Sequence, residues 1–137
     1  MPTLSGGCAC GAIRYTSTGE PLFALSCHCR DCQRESGSAF AAILAVPRAG
    51  FTVTQGSPGR FTVTADSGHP TTRVFCPSCG SPLFGLPGSA PEMVTIRAGS
   101  LDDPAAFRPT QDIFTASAQP WDHMDPALPK ARKLPPR

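Results

Sequence analysis

Residues 76–80 read Cys-Pro-Ser-Cys-Gly, which is the form of a zinc knuckle. In such a turn the two thiolates converge on one ion, and the glycine supplies a backbone conformation with positive φ. Two further cysteines, Cys8 and Cys10, lie near the start of the chain, and residues two apart in an extended segment point to the same face. With Cys76 and Cys79 they would make a closed tetrahedral site that joins the N-terminal strand to the later part of a sheet. We therefore expect a structural zinc here, whose binding energy supports a small domain.

The remaining three of the seven cysteines lie close together, in the segment CHCRDC at residues 27–32. Three thiolates cap one side of an ion but cannot close a tetrahedron. A zinc bound by Cys27, Cys29 and Cys32 would keep one position for water or an incoming ligand, and a soft thiolate suits that position. Zinc would also hold an incoming thiol deprotonated at neutral pH, which makes it a better nucleophile. The odd cysteine count thus predicts a second, reactive zinc site.

Spacing alone leaves another ligand set open. Cys29 and Cys32 could join the knuckle cysteines Cys76 and Cys79 in an ordinary zinc ribbon, because both pairs have accepted ligand spacings. The other three cysteines would then be spare thiols. Both groupings stand at this stage.

The three histidines are weaker candidates for ligands. His28 could close the three-cysteine site, but in an extended segment its side chain points away from those of Cys27 and Cys29. His69 lies in a predicted turn at residues 66–70, and His123 follows a Trp-Asp pair. Both are expected in exposed loops.

Composition and charge narrow the class of protein. The length of 137 residues suits one domain, and 16 prolines and 13 glycines favour many short strands and turns over long helices. A net charge of +2 is too mild to predict binding to nucleic acid or to an acidic membrane surface. No segment approaches the roughly 18 apolar residues of a membrane span. Residues 1–7 resemble no signal peptide, so we expect a cytoplasmic protein whose cysteines bind metal instead of forming disulfides.

The apolar and polar pattern predicts a mostly β fold with very little helix. Residues 55–59 look like a hairpin turn between two of the strands, and one helical turn is expected at residues 31–35. We expect a single zinc-binding β domain over residues 1–128 and a proline-rich, basic, poorly packed tail over residues 129–137. No association pattern is present, so the oligomeric state is left open. The expected strands are residues 11–16, 22–26, 39–46, 51–54, 60–64, 72–75 and 93–98.

Segments along nearly the whole chain match one known family in order. They are GGC-x-CG at residues 6–11, C-x-CR-x-C at 27–32, SGSAF at 36–40, RVFCP-x-CGSPLF at 73–84 and GSLDDP at 99–104, with IF at 113–114 and PW at 120–121. On these segments the chain resembles the glutathione-dependent formaldehyde-activating enzymes, which share the Mss4-like fold of folded β-sheets.

The resemblance implies how the seven cysteines are divided and what they do. It assigns a structural zinc to Cys8, Cys10, Cys76 and Cys79. It assigns to the three cysteines of residues 27–32 a catalytic zinc whose open position receives the thiol of glutathione. The reaction implied is that of a carbon–sulfur lyase, which joins glutathione and formaldehyde into S-hydroxymethylglutathione.

Our leading hypothesis is a zinc enzyme that adds a thiol to a small carbonyl compound, or reverses that addition. Arg30 could steer a carboxylate of glutathione, although a solvated arginine is the commoner role. Ser36 and Ser38 could donate to the developing alkoxide, but we favour a role in capping a turn. Asp31 and Glu35 can be interpreted equally well as surface charges, so no strong candidate for a general base is found.

The alternative hypothesis is a non-catalytic zinc module that binds a protein partner, since the Mss4-like fold also serves binding roles. The basic residues 130–133 could contact an acidic partner. The three-cysteine group argues against this hypothesis, because a purely structural site needs no open position. Methionine sulfoxide reductases, which have a related fold, need a redox cysteine outside the zinc set, and no eighth cysteine exists.

Overall fold

The structure, a computed structural model, describes residues 3–65 and 68–134. In this part the chain forms ten β-strands and one α-helix, so the prediction of a mostly β fold with very little helix is confirmed. The strands are β1 (Thr3–Gly7), β2 (Arg14–Thr18), β3 (Phe23–Cys27), β4 (Ala41–Pro47), β5 (Phe51–Gln55), β6 (Gly59–Thr64), β7 (Pro70–Phe75), β8 (Pro82–Pro87), β9 (Met93–Arg97) and β10 (Asp112–Ile113). The helix α1 spans Arg30–Ser36. Among these residues, no helix has the length and apolar character needed to cross a bilayer.

The strands form two sheets. The smaller sheet has the order β1-β2-β5, and the larger has the order β10-β3-β4-β9-β8-β7-β6. All neighbouring strands are antiparallel except β10, which runs parallel to β3. Strand β4 lies between β3 and β9 and is almost entirely buried. The apolar run at residues 39–46 is therefore a central strand, as its sequence predicts.

Aromatic side chains join the two sheets. Tyr15 of β2 is fully buried, and its ring stacks on Phe51 of β5 with 5.2 Å between centroids. Phe51 in turn meets Phe84 of β8, in the larger sheet, edge-on at 4.6 Å. The Tyr15 hydroxyl shares a 2.6 Å hydrogen bond with the hydroxyl of Ser100, so the polar end of this buried side chain is satisfied. These aromatic contacts thus form part of a core between the smaller sheet and the larger one.

The hairpin predicted between residues 51–54 and 60–64 is wrong. Strand β5 pairs with β2 in the smaller sheet, and β6 pairs with β7 in the larger one. Burial explains the difference, because Phe51 reaches the aromatic core through the smaller sheet whereas Phe61 of β6 is 62% exposed. The segment between them crosses from one sheet to the other.

The other predicted strands are found with shifted ends. Strand β2 starts at Arg14, later than predicted, because Cys8 to Ile13 forms a turn closed by a 3.2 Å bond from the Cys8 amide to the Ile13 carbonyl. Three strands, β1, β8 and β10, are absent from the predicted set. Glycines in β1 and prolines in β8 hide the usual strand signal, and β10 has only two residues. The predicted helical turn is part of α1, and Gly37 caps its C-terminal end in the left-handed conformation at φ 67°.

The expectation of a poorly packed tail is wrong for residues 129–133. The Lys130 ammonium lies 3.0 Å from a carboxylate oxygen of Asp112, and the Ala131 amide donates to the Asp112 carbonyl. The Phe114 amide donates to the Lys133 carbonyl. Asp112 is buried, and a buried carboxylate requires a charge partner, which this segment supplies. Residues 135–137 lie outside the described part.

A close backbone approach at Gly6 gives the first prediction. A Cβ at Gly6 would lie 2.3 Å from the Tyr15 hydroxyl oxygen and 2.4 Å from the Ser100 carbonyl oxygen. Since the carbonyl belongs to the backbone, we expect Gly6→Ala to lower the free energy of unfolding by about 1–3 kcal/mol, measured by urea denaturation of the reduced protein. Gly99→Ala is the control, because a Cβ there meets nothing within 4 Å. Equal losses in the two variants would contradict this account.

Candidate metal centres

The first group of thiols gathers sulfur atoms from two distant parts of the chain. The four sulfurs of Cys8, Cys10, Cys76 and Cys79 all lie within 4.8 Å of one another. The Cys8 and Cys10 sulfurs are 3.6 Å apart, and those of Cys10 and Cys76 are 3.8 Å apart. Two thiolates bound to one zinc at about 2.3 Å in a tetrahedron are separated by about 3.8 Å. The group therefore has the donors and the spacing of a closed metal site.

Backbone hydrogen bonds shape this group. Cys8 and Cys10 follow β1, whereas Cys76 and Cys79 occupy the turn between β7 and β8. The Gly80 amide donates to the Cys76 carbonyl at 2.8 Å, and Gly80 has the positive φ, 78°, expected of the knuckle glycine. The four cysteines thus bring the end of β1 next to the end of β7.

The pKa values of Cys8, Cys10 and Cys79 reflect the closeness of several thiols that cannot all carry a negative charge. Burial would raise the pKa of Cys8, but hydrogen bonds from the Ile13 amide and neighbouring thiols lower it. Hydrogen bonds from Ser81 lower the pKa of Cys79 to about 5. A backbone hydrogen bond lowers the pKa of Cys10, but the neighbouring thiols outweigh it and raise the value to about 11. A divalent cation among the sulfurs would remove this conflict by neutralising the charges.

The second group forms where a strand gives way to a helix. Strand β3 ends at Cys27, and Cys29 is the N-cap of α1, with its sulfur accepting the Cys32 amide at 3.3 Å. The three sulfurs lie within 4.8 Å of one another, and no fourth histidine, cysteine or carboxylate donor of the described residues joins them. Cys27 and Cys32 are buried, and Cys29 is half-buried. An ion held by this group would keep a position for another ligand.

In the second group, the pKa values place the negative charge on the sulfur of Cys29. Hydrogen bonds from Cys27 and Cys32 lower the pKa of Cys29 to about 3, and the positive charge of Arg73 adds to the effect. Hydrogen bonds to Cys29 and Cys32 raise the pKa of Cys27. A hydrogen bond with Cys27 lowers the pKa of Cys32, but Cys29 and burial raise it overall. Binding all three as thiolates therefore requires a cation.

The structure decides between the two groupings of cysteines that the sequence left open. Cys76 and Cys79 lie with Cys8 and Cys10, so the zinc ribbon that would combine them with residues 29–32 is not formed. The grouping is the one that the resemblance implied.

His28 lies apart from the sulfurs, as its place in an extended segment predicts. Its ring is 1% exposed, with Nε2 2.9 Å from a carboxylate oxygen of Asp112. Nδ1 lies 2.6 Å from a carboxylate oxygen of Asp122, without the alignment of a hydrogen bond. Both carboxylates were missed by sequence reasoning, because they lie more than 80 residues away from His28. His69 and His123 are exposed.

A cavity of about 410 Å³ opens beside the three-cysteine group. Arg73 of β7 and Arg97 of β9 are among the residues that line it, and Glu35 of α1 lies between these two arginines. One Glu35 oxygen is 3.0 Å from Arg73 Nη1 and 2.6 Å from Arg97 Nε. The Glu35 side chain is only 13% exposed, so its interpretation as a surface charge is wrong. Its i+3 spacing from Cys32 on the helix was the signal that could have placed it here.

The charge of Arg73 is well supported by its neighbours. Burial opposes the charged form, but the negative charges of Cys32 and Glu35 outweigh burial and raise the pKa of Arg73. Arg73 Nη1 lies 3.7 Å from the Cys32 sulfur. The arginine is therefore charged at every accessible pH and faces the thiol group directly.

The remaining candidate residues lie at the edge of the site. Arg30 and Asp31 are exposed and line the mouth of the cavity. The Ser36 and Ser38 hydroxyls donate to the Phe40 carbonyl at 2.9 and 3.2 Å. Both serines therefore stabilise the turn after α1, which is the role we favoured for them.

Known proteins resemble this chain in sequence and in fold. A family model described as "Glutathione-dependent formaldehyde-activating enzyme" matches residues 3–117. A protein of Emericella nidulans named "Putative glutathione-dependent formaldehyde-activating enzyme" is 29% identical over 89 residues, which cover 61% of this chain and 44% of that protein. The chain thus spans less than half the length of this curated relative. A crystal structure of a Rhodobacter sphaeroides protein has a TM-score of 0.58 at 22% identity, covers 74% of this chain and 93% of its own, and shows a similar fold.

The two groups predict different responses to the loss of one thiol. We expect Cys29→Ser to keep the fold and lose one bound metal ion, because the three-cysteine group does not connect the sheets. We expect Cys76→Ser to lose an ion together with cooperative unfolding, because the first group joins β1 to β7 and Cys76 is fully buried. Elemental analysis and thermal unfolding by circular dichroism, both under reducing conditions, measure these effects. An unfolded Cys29→Ser beside a stable Cys76→Ser would reverse the assignment.

Proposed function

The chain belongs to the family of glutathione-dependent formaldehyde-activating enzymes, and on this premise we propose that it is a zinc-dependent carbon–sulfur lyase. It joins a thiol such as glutathione to a small carbonyl compound, or releases the thiol from the adduct. The observation that carries the proposal is the group of three sulfurs without a fourth protein donor among the described residues, at the edge of a cavity. A closed site would have no use for such an opening.

Zinc is the metal that best fits both groups. Thiolate-only donors at tetrahedral spacing favour a soft or borderline ion, and zinc adds no redox chemistry of its own. The zinc at Cys8, Cys10, Cys76 and Cys79 is structural. Zinc at the three-cysteine group supplies a Lewis acid that keeps an incoming thiol deprotonated. Because the seven cysteines are free thiols, we place the protein in a reducing compartment such as the cytoplasm.

The cavity provides room and polarity for the reactants. Its volume of about 410 Å³ lies within the range of roughly 300–1,000 Å³ typical of small-molecule sites. Ile43, Ile113 and Phe114 give it an apolar side next to the sulfurs, and Ser89 and Thr95 give it hydroxyl groups. The apolar side limits access of water to the reacting thiol, and the hydroxyls can orient a polar ligand.

The reaction needs no oxidant or reductant. A carbon–sulfur bond forms between the thiol and the carbonyl carbon, the carbonyl π bond breaks, and the thiol proton ends on the new hydroxyl group. The reverse reaction returns the same groups. Glu35 is held between two arginines, so we assign it no role as a base.

The alternative of a non-catalytic binding module has lost one of its supports. It relied on the basic residues 130–133 as a contact for an acidic partner, and Lys130 is paired with Asp112 within the fold. The methionine sulfoxide reductase alternative would need a thiol outside the two groups, and all seven cysteines belong to them.

The proposal predicts a rate that depends on the three-cysteine group. Exchange NMR on mixtures of glutathione and formaldehyde measures formation of the adduct. We expect the zinc-loaded protein to exceed the uncatalysed rate and Cys29→Ser, although folded, to return to it. Replacing glutathione by 2-mercaptoethanol tests whether the cavity selects the tripeptide.

A wild-type rate equal to the uncatalysed one, with zinc bound in both groups, would reject formaldehyde and glutathione as the reactants. A rate that Cys29→Ser leaves unchanged would reject the three-cysteine group as the reactive site.

A further inference from the structure

Arg73, which is not a metal ligand, contacts a thiol of the three-cysteine group. The Arg73 side chain is 12% exposed, and its Nη1 lies 3.7 Å from the Cys32 sulfur and 3.0 Å from a Glu35 oxygen. One guanidinium nitrogen is thus placed between a thiol of the site and a carboxylate. An N–H donor this close to sulfur can stabilise the thiolate.

We propose that Arg73 is a positioning residue for the three-cysteine site, fixing the orientation of the Cys32 sulfur and offsetting the negative charge of the metal–thiolate group. The proposal rests on the proposed function, because it concerns the same site. It adds Arg73, which lies outside the ligand set, to the residues on which metal binding depends.

Charge balance is the first argument. Three thiolates around a divalent ion leave an excess of one negative charge, and two of the three cysteines are buried. An unpaired buried charge is costly, so the protein is expected to provide a nearby cation. Arg73, Arg97 and Glu35 together carry an excess of one positive charge and lie beside the sulfurs. The two excess charges cancel.

Rigid placement is the second argument. Arg73 lies in the middle of β7, which is paired with β6 on one side and β8 on the other. Cys76, a member of the first group, follows β7 directly. Glu35 holds the guanidinium from α1, the helix that carries Cys32. A donor fixed from both sides loses little conformational freedom when it binds the thiolate, as outer partners of metal ligands commonly do.

Arg97 provides a matched comparison within the chain. It pairs with the same Glu35 oxygen and is similarly buried, with 9% of its side chain exposed. Its other hydrogen bonds go to the carbonyl and the hydroxyl of Thr95. If the charge network served only to hold α1 on the sheet, losing either arginine would have the same effect.

The test compares Arg73→Gln, Arg73→Lys and Arg97→Gln in the cobalt-substituted, reduced protein. Chelator competition measures the affinity of each group for cobalt, and the thiolate-to-cobalt absorption bands report the electron density on the sulfurs. We expect Arg73→Gln to weaken the three-cysteine site by about 10- to 100-fold and to shift its bands, while the four-cysteine site is unchanged. Arg73→Lys should recover part of the loss, and Arg97→Gln should lose less than either Arg73 variant.

Several outcomes would overturn the proposal. An Arg73→Gln protein with wild-type affinity and spectrum would remove it, and so would equal losses in Arg73→Gln and Arg97→Gln. If Arg73→Gln failed to fold, Arg73→Lys would decide. The proposal then requires a larger loss of cobalt affinity in Arg73→Lys than in Arg97→Gln, and an equal or smaller loss would overturn it. A wild-type protein that binds one cobalt ion would reject the open site itself. Two cobalt ions without lyase activity would reject only the proposed reaction.

Discussion

Thiolates cannot share a small volume unless a cation lies among them, and this constraint organises the whole chain. Seven cysteines converge into two groups, each with its sulfurs within 4.8 Å of one another. The first group fixes the end of β1 against the end of β7, next to the place where Tyr15, Phe51 and Phe84 pack the two sheets together. The second would leave one face of a bound ion to the cavity. In the proposed function, stability and reactivity therefore depend on different thiols.

Strand β7 connects these two sets of thiols. It carries Arg73 toward the three-cysteine group and ends just before Cys76 of the other group. Elsewhere at the site, β10 lies beside β3, and the segment at residues 129–133 lies beside β10. Phe114, which follows β10, is the one described non-glycine residue with positive φ, at 56°. Phe114 lines the cavity, so this unfavourable backbone conformation lies at the proposed reactive site.

Local patterns in the sequence predicted the local features of the structure. The spacing of the cysteines within each motif and the apolar run of β4 are contained in a few consecutive residues, which is why the cysteine motifs and the central strand could be predicted. Spacing alone left open which motifs share an ion. Partners distant in the sequence could not be. Strand β5 pairs with β2 because Phe51 is buried against Tyr15. No turn residue in the sequence indicates this pairing. Glu35 was interpreted as a surface charge because its partners, Arg73 of β7 and Arg97 of β9, lie far from it in the sequence.

The central claim is that one group of sulfurs closes around its zinc and the other leaves a position open. X-ray absorption at the zinc edge, on reduced protein with both sites filled, measures the ligands directly. The account predicts one nitrogen or oxygen ligand for every two zinc ions, replaced by sulfur when glutathione is added. A spectrum with only sulfur ligands before glutathione is added, or one that glutathione leaves unchanged, would contradict it.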